Sequence, residues 1–143
     1  MPAWLAPSAI MLLLAGAAVS DIRRMRVPGW WSLGGIATGL MAAGIHGFGR
    51  LEWSLVGLAV GASVLLPFVI KGWAGPADSL LLAAVGAWEG WAFALLAAFC
   101  TSLAGLAIAL IAVRRGQRIV PYVPAIAVGT ALAFLAPLLV GQG

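Results

Sequence analysis

Residues 79–113 read SLLLAAVGAWEGWAFALLAAFCTSLAGLAIALIAV, with Glu89 as the single charge. A membrane-spanning helix takes about 20 mostly apolar residues, within a range of about 17–25. This block is therefore too long for one comfortable span and short for two full ones. Gly86-Ala87-Trp88-Glu89-Gly90 supplies a turn, which divides the block into a short fourth helix and a longer fifth. Working outward, apolar runs at about 3–20, 30–46 and 53–70 precede the block, and one at about 122–140 follows it. Between Lys71 and Asp78, the Gly/Pro-rich stretch from Gly72 to Pro76 breaks the helical pattern.

Charge placement tests this division. With six spans and both termini outside, the loops after spans one, three and five face the cytoplasm. They carry Arg23, Arg24, Arg26, Lys71, Arg114, Arg115 and Arg118, while the other side carries only Arg50. Seven against one is the asymmetry that the positive-inside rule demands. A single span over 79–113 would put the Arg114–Arg118 cluster outside, against the rule. The tryptophans Trp4, Trp30, Trp31, Trp53, Trp73, Trp88 and Trp91 all fall near predicted span ends, where amphipathic rings prefer to sit.

Composition sets the class. The chain has 143 residues, 64% hydrophobic and 8% charged, with mean hydropathy +1.11; soluble domains carry about 25% charged residues. The reading is an all-α, polytopic membrane helix bundle of about six spans, formed by residues 1–143 as one domain. The first run lacks a basic n-region and reads as a retained span. The basic residues lie between apolar runs, as topology signals do, so no nucleic-acid partner is expected. Cys100 is the lone cysteine and reads as a small packing residue, with no intramolecular disulfide and no cysteine metal site. Gly35-x-x-x-Gly39 and Gly57-x-x-x-Gly61 offer close helix approach, although such matches arise by chance in a Gly- and Ala-rich chain. His46 is expected at the outer interface.

Chemistry points to two acids. Asp21 ends the first run and Asp78 opens the fourth, so both lie at the cytoplasmic ends of spans; Glu52 and Glu89 fall on the opposite side. A carboxylate at a membrane boundary is expensive and usually has a job or a partner. One alternative is structural, with Asp78 as an N-cap and Asp21 paired with Arg23 or Arg24. In the other, the two aspartates share a water. Two close carboxylates cannot both ionise cheaply, so such a pair holds one proton between them. One acts as general base on the water while the other donates to the scissile carbonyl. That is aspartic-protease chemistry, and it needs no metal and no organic cofactor.

The surrounding residues bear on that choice. Asp21-Ile22-Arg23-Arg24-Met25-Arg26-Val27-Pro28 resembles the Asp-x-Arg-x-x-x-Ile-Pro-Asn pattern of the type IV prepilin peptidases. Gly75-Pro76-Ala77-Asp78, with Leu81 and Leu82, resembles their Gly-x-Gly-Asp motif. Ala83–Trp88 and Pro121–Gly129 are also similar to that family, specifically to its short form associated with tight-adherence (Flp) pili. The resemblance covers nearly the whole chain. It implies Asp21 and Asp78 as the catalytic pair, with Arg23, Pro28, Gly75 and Ala77 as supporting motif positions. It further implies a multi-pass protein of the bacterial inner membrane that cuts basic leaders from prepilin-like substrates at the cytoplasmic face. Pilus assembly components are another implied partner; membrane lipids are expected at Arg23, Arg24 and Arg26, which serve topology first and are suited to anionic head groups. Departures are Ala77 in place of glycine, Gly29 in place of asparagine and Leu80 where lysine is common. There is also no long cysteine-containing insertion between spans one and two, so methyl transfer is not expected.

The substrate helix is expected beside spans one and four, with residues 72–77 as a gate. A membrane scaffold of a pilus or secretion apparatus that kept the fold without the chemistry is the rival reading. A proton-relay transporter is the other, disfavoured because the spans hold few polar residues beyond Thr38, Ser63, Ser102 and Thr130.

Overall fold

The computed structural model describes residues 4–24, 28–72, 74–117 and 123–140. They form six α-helices: α1 (Leu5–Arg24), α2 (Gly29–Ile45), α3 (Phe48–Ile70), α4 (Pro76–Glu89), α5 (Trp91–Arg114) and α6 (Val123–Val140). No strand occurs among the described residues. An apolar chain in hydrocarbon must satisfy its own backbone, which a helix does within each segment. The helices α1, α3, α5 and α6 are long and apolar enough to cross a membrane. At about 1.5 Å per residue, α2 reaches about 25 Å and α4 about 21 Å, against a hydrocarbon core of about 30 Å.

The short helix is the centre of the bundle. Every residue from Leu81 to Ala87 is buried, and α4 touches all five other helices. It forms the core with Ile10 and Leu14 of α1, Leu65 of α3, Ala97 and Ala98 of α5, and Val123 and Ile126 of α6. Large apolar side chains such as Leu12, Met41, Val56, Phe99, Leu106 and Leu132 instead point outward, the arrangement lipid requires. Apolar burial gives little preference between protein and lipid, so packing falls to small residues and interhelical hydrogen bonds.

Both glycine stripes face α4. A Cβ on Gly57 would run into the carbonyl oxygen of Gly86, and one on Gly86 into that of Gly57. Gly61 abuts the Leu82 carbonyl in the same way. On the other flank, a Cβ on Gly35 would stand 3.3 Å from the Ala84 Cβ, and one on Gly39 3.2 Å from the Ala87 Cβ. Two serines tie α4 to α3: the Ser79 hydroxyl donates to the Ala62 carbonyl at 2.8 Å, and that of Ser54 to the Ala87 carbonyl.

The division of residues 79–113 stands, with its turn narrowed to one residue. Gly86–Glu89 remain helical, and only Gly90 leaves the helix, at φ +93°. A side chain there would also collide with the Trp53 indole. Other boundaries differ from expectation. Helix α1 runs on to Arg24, which places Asp21 inside its last turn, and α3 begins at Phe48, drawing Arg50 and Glu52 into the helix. Trp31 and Trp88 turn inward: their indole N–H groups donate to the carbonyls of Leu13 at 3.0 Å and Gly35 at 3.1 Å. They bind helix to helix in addition to lying near span ends. His46 is exposed at the α2 C-terminus, its Nδ1 2.6 Å from the Ala42 carbonyl oxygen. Arg26, Trp73, Arg118 and Tyr122 lie outside the described residues.

Candidate active site

The start of α4 follows from its sequence. Pro76 occupies the first helical position, where a missing N–H costs nothing and the fixed φ suits the helix, and Gly75 is the N-cap. Asp78 therefore stands at the third helical position, not at the N-cap. Its Oδ2 accepts a hydrogen bond from the Gly75 N–H at 2.9 Å. The positive end of the helix dipole faces this carboxylate.

Asp21 is held in a parallel way. It lies on the buried stripe of α1 with Ile10, Leu14 and Ala17, and its Oδ2 accepts from the Val123 N–H at 3.3 Å. Val123 is the first residue of α6, so this N–H is one of the donors a helix leaves without an internal partner. Two helix N-termini thus each hold one carboxylate, at the end of the bundle where α1, α3 and α5 finish.

The two acids share one place. Asp21 and Asp78 are 9% and 8% exposed, and Asp21 is close enough for its charge to act on Asp78. Each has one oxygen committed to a backbone N–H, and no other hydrogen bond from a described residue reaches either. The pairing of Asp21 with Arg23 or Arg24 does not occur; both arginines are exposed. At the opposite end, Glu89 lies within the influence of Arg50, whose guanidinium donates to the Trp88 carbonyl at 3.4 Å.

The supporting positions separate. Gly75 contributes the N–H that holds Asp78, whereas Arg23 is exposed. Pro28 is the extended residue before α2, at φ −61° and ψ 132°, and Ala77 is a half-buried residue in the first turn of α4. Pro76 and Ala77, expected in a gate, are already helical, and the Ala74 N–H donates to the Phe68 carbonyl at 3.2 Å. Sequence reasoning missed Val123. A backbone N–H leaves no signature in residue type, and only its place in the family-like segment 121–129 marked it. Among the described residues, no three of His, Cys, Asp and Glu gather into a possible metal-binding group. The hydroxyls of Thr38, Ser63 and Ser102 donate to carbonyls of their own helices, while that of Thr130 is buried without a partner.

The sequence model of the type IV leader peptidase family matches residues 8–110, which include both aspartates. The chain belongs to that family. No curated protein and no solved structure matches it. Membership makes this a peptidase-family membrane protein, with α2–α4 wholly and α1 and α5 mostly inside the matched region and α6 beyond it.

Proposed function

We propose that the chain is an aspartic endopeptidase that removes the cytoplasmic leader from type IV prepilin-like proteins of the Flp class, using Asp21, Asp78 and a water. The observation that carries this reading is the gathering of two buried aspartates, 57 positions apart, at one end of a leader-peptidase-family bundle. In the cycle, the oxygens not held by Gly75 and Val123 face a shared water. One carboxylate takes the water's proton as its oxygen attacks the peptide carbonyl, and the other donates a proton to the carbonyl oxygen. Collapse of the tetrahedral intermediate returns a proton to the leaving amine and breaks the C–N bond.

The buried flank of α4 revises where substrate enters. Leu81–Ala87 are covered by neighbouring helices, so a substrate helix does not lie along α4. It approaches the α4 N-terminus, where Gly75 and Pro76 are exposed. The basic side chains near this end are the reason to place it at the cytoplasmic face of a bacterial inner membrane, beside the pilus assembly components that would receive the product.

The test is cleavage of a prepilin-like substrate in liposomes by wild type, Asp21→Asn and Asp78→Asn, with thermal unfolding followed in parallel. Asparagine keeps an acceptor for the Gly75 or Val123 N–H, so both variants are expected to fold and to lose cleavage to background. A folded wild type that cuts none of its cognate prepilins would transfer the chain to the scaffold reading.

A further inference from the structure

Consecutive helices normally pack along their length, yet α1 and α2 barely touch. Between them runs an open groove of about 280 Å³. Leu13 of α1 and Trp30, Trp31 and Gly34 of α2 form its walls, and Trp88 of α4 is its floor. Three polar side chains along it are already engaged. The Trp31 and Trp88 N–H groups donate to Leu13 and Gly35, and the Thr38 hydroxyl donates to the Gly34 carbonyl at 2.9 Å. What remains to an occupant is an apolar channel.

Charge narrows the occupant. Arg23 and Arg24 are exposed on the last turn of α1, and α2 begins five positions after Arg24, at Gly29, one residue before Trp30 of the groove. None of the chain's four acids pairs with either guanidinium among the described residues. Two exposed positive charges at this end of α1 attract a phosphate.

We infer that the α1–α2 groove seats one anionic phospholipid, its phosphate at Arg23 and Arg24 and one acyl chain along Leu13, Trp31 and Gly34. The site makes a lipid part of the wall that α1 presents to the membrane, on the helix that also carries Asp21. The inference stands apart from the peptidase reading, because lipid retention is measured without cleavage.

Gly34 provides the decisive variant. It lines the groove, and a Cβ built there meets no atom within 4 Å, so Gly34→Leu starts its side chain into open space. Native mass spectrometry of the full chain, titrated with phosphatidylglycerol or phosphatidylcholine in neutral detergent, reads occupancy. Wild type is expected to retain phosphatidylglycerol at least about tenfold better than phosphatidylcholine. Gly34→Leu should lose most of that retention with unchanged thermal unfolding, and Thr38→Leu is a second filler read the same way. Arg23→Gln/Arg24→Gln should erase the preference between headgroups. Equal retention of both lipids by wild type, or full retention by both fillers, overturns the inference. So does a result in which the fillers spare lipid but weaken binding of a hydrophobic prepilin segment, which would make the groove a peptide seat.

Discussion

Ala77 stands where the motif it resembles has a glycine, next to a proposed catalytic acid, and its backbone accommodates the methyl. A glycine is required where φ is positive or where another backbone comes too close. Position 77 meets neither condition at its backbone angle: it lies in the first turn of α4, with its methyl half-buried. Alanine is the better helix former by about 0.8–1 kcal/mol. Ala77→Gly is therefore expected to lower stability by up to about 1 kcal/mol and to change cleavage by no more than a few-fold, checked by thermal unfolding beside turnover. A large rise in turnover would mean that the methyl holds Asp78 away from its working position. The contrast with Gly75 is instructive. That residue acts through its N–H, which any residue but proline has, so its role was not visible from its identity.

At the scale of elements, α4 depends on backbone contacts that no side chain can replace. Gly57→Ala would drive a methyl into the Gly86 carbonyl and the Gly90 backbone, and neither neighbour is a flexible side chain that can swing aside. Overpacking of this kind typically costs about 1–3 kcal/mol. Gly90→Ala adds a positive φ of 93° to a collision with the Trp53 ring, and the conformation alone costs about 1–3 kcal/mol. Both variants are expected to unfold at lower denaturant than wild type, whereas Gly44→Ala, where a Cβ meets nothing within 4 Å, should not. Equal stability of Gly57→Ala and Gly44→Ala would contradict the close crossing of α3 and α4. The sequence showed the glycine stripes but not their partner. In lipid, both faces of a helix are apolar, so periodicity does not reveal which face turns inward. The signal that does distinguish α4 is its run of small residues, Ala83, Ala84, Gly86 and Ala87, together with its length.

At the scale of the whole molecule, helix number was legible because two independent constraints met at one residue. Charge asymmetry required a turn within 79–113, and Gly90 is the residue there that adopts the conformation a turn needs. The meeting of Asp21 and Asp78 was legible only as a matter of level. Alternation of spans put both acids at one end, while their lateral approach depends on α4 lying inside the bundle and on Val123 reaching Asp21 from α6. The same alternation makes a prediction about orientation. Arg23, Arg24, Lys71, Arg114 and Arg115 belong to the end with the aspartates, and Arg50 and Trp91 to the other. If the basic end faces the cytoplasm, single cysteines report it in a Cys100→Ala background. Gln117→Cys follows α5 at an exposed position, and Gly49→Cys lies exposed at the start of α3 with open space for a side chain. In intact cells, a membrane-impermeant maleimide should label Gly49→Cys at once and Gln117→Cys only after permeabilisation. The reverse pattern would put both aspartates on the outer face, where a leader that has not crossed the membrane cannot reach them, and leader cleavage would then have to be abandoned even if the acids prove able to cut peptides.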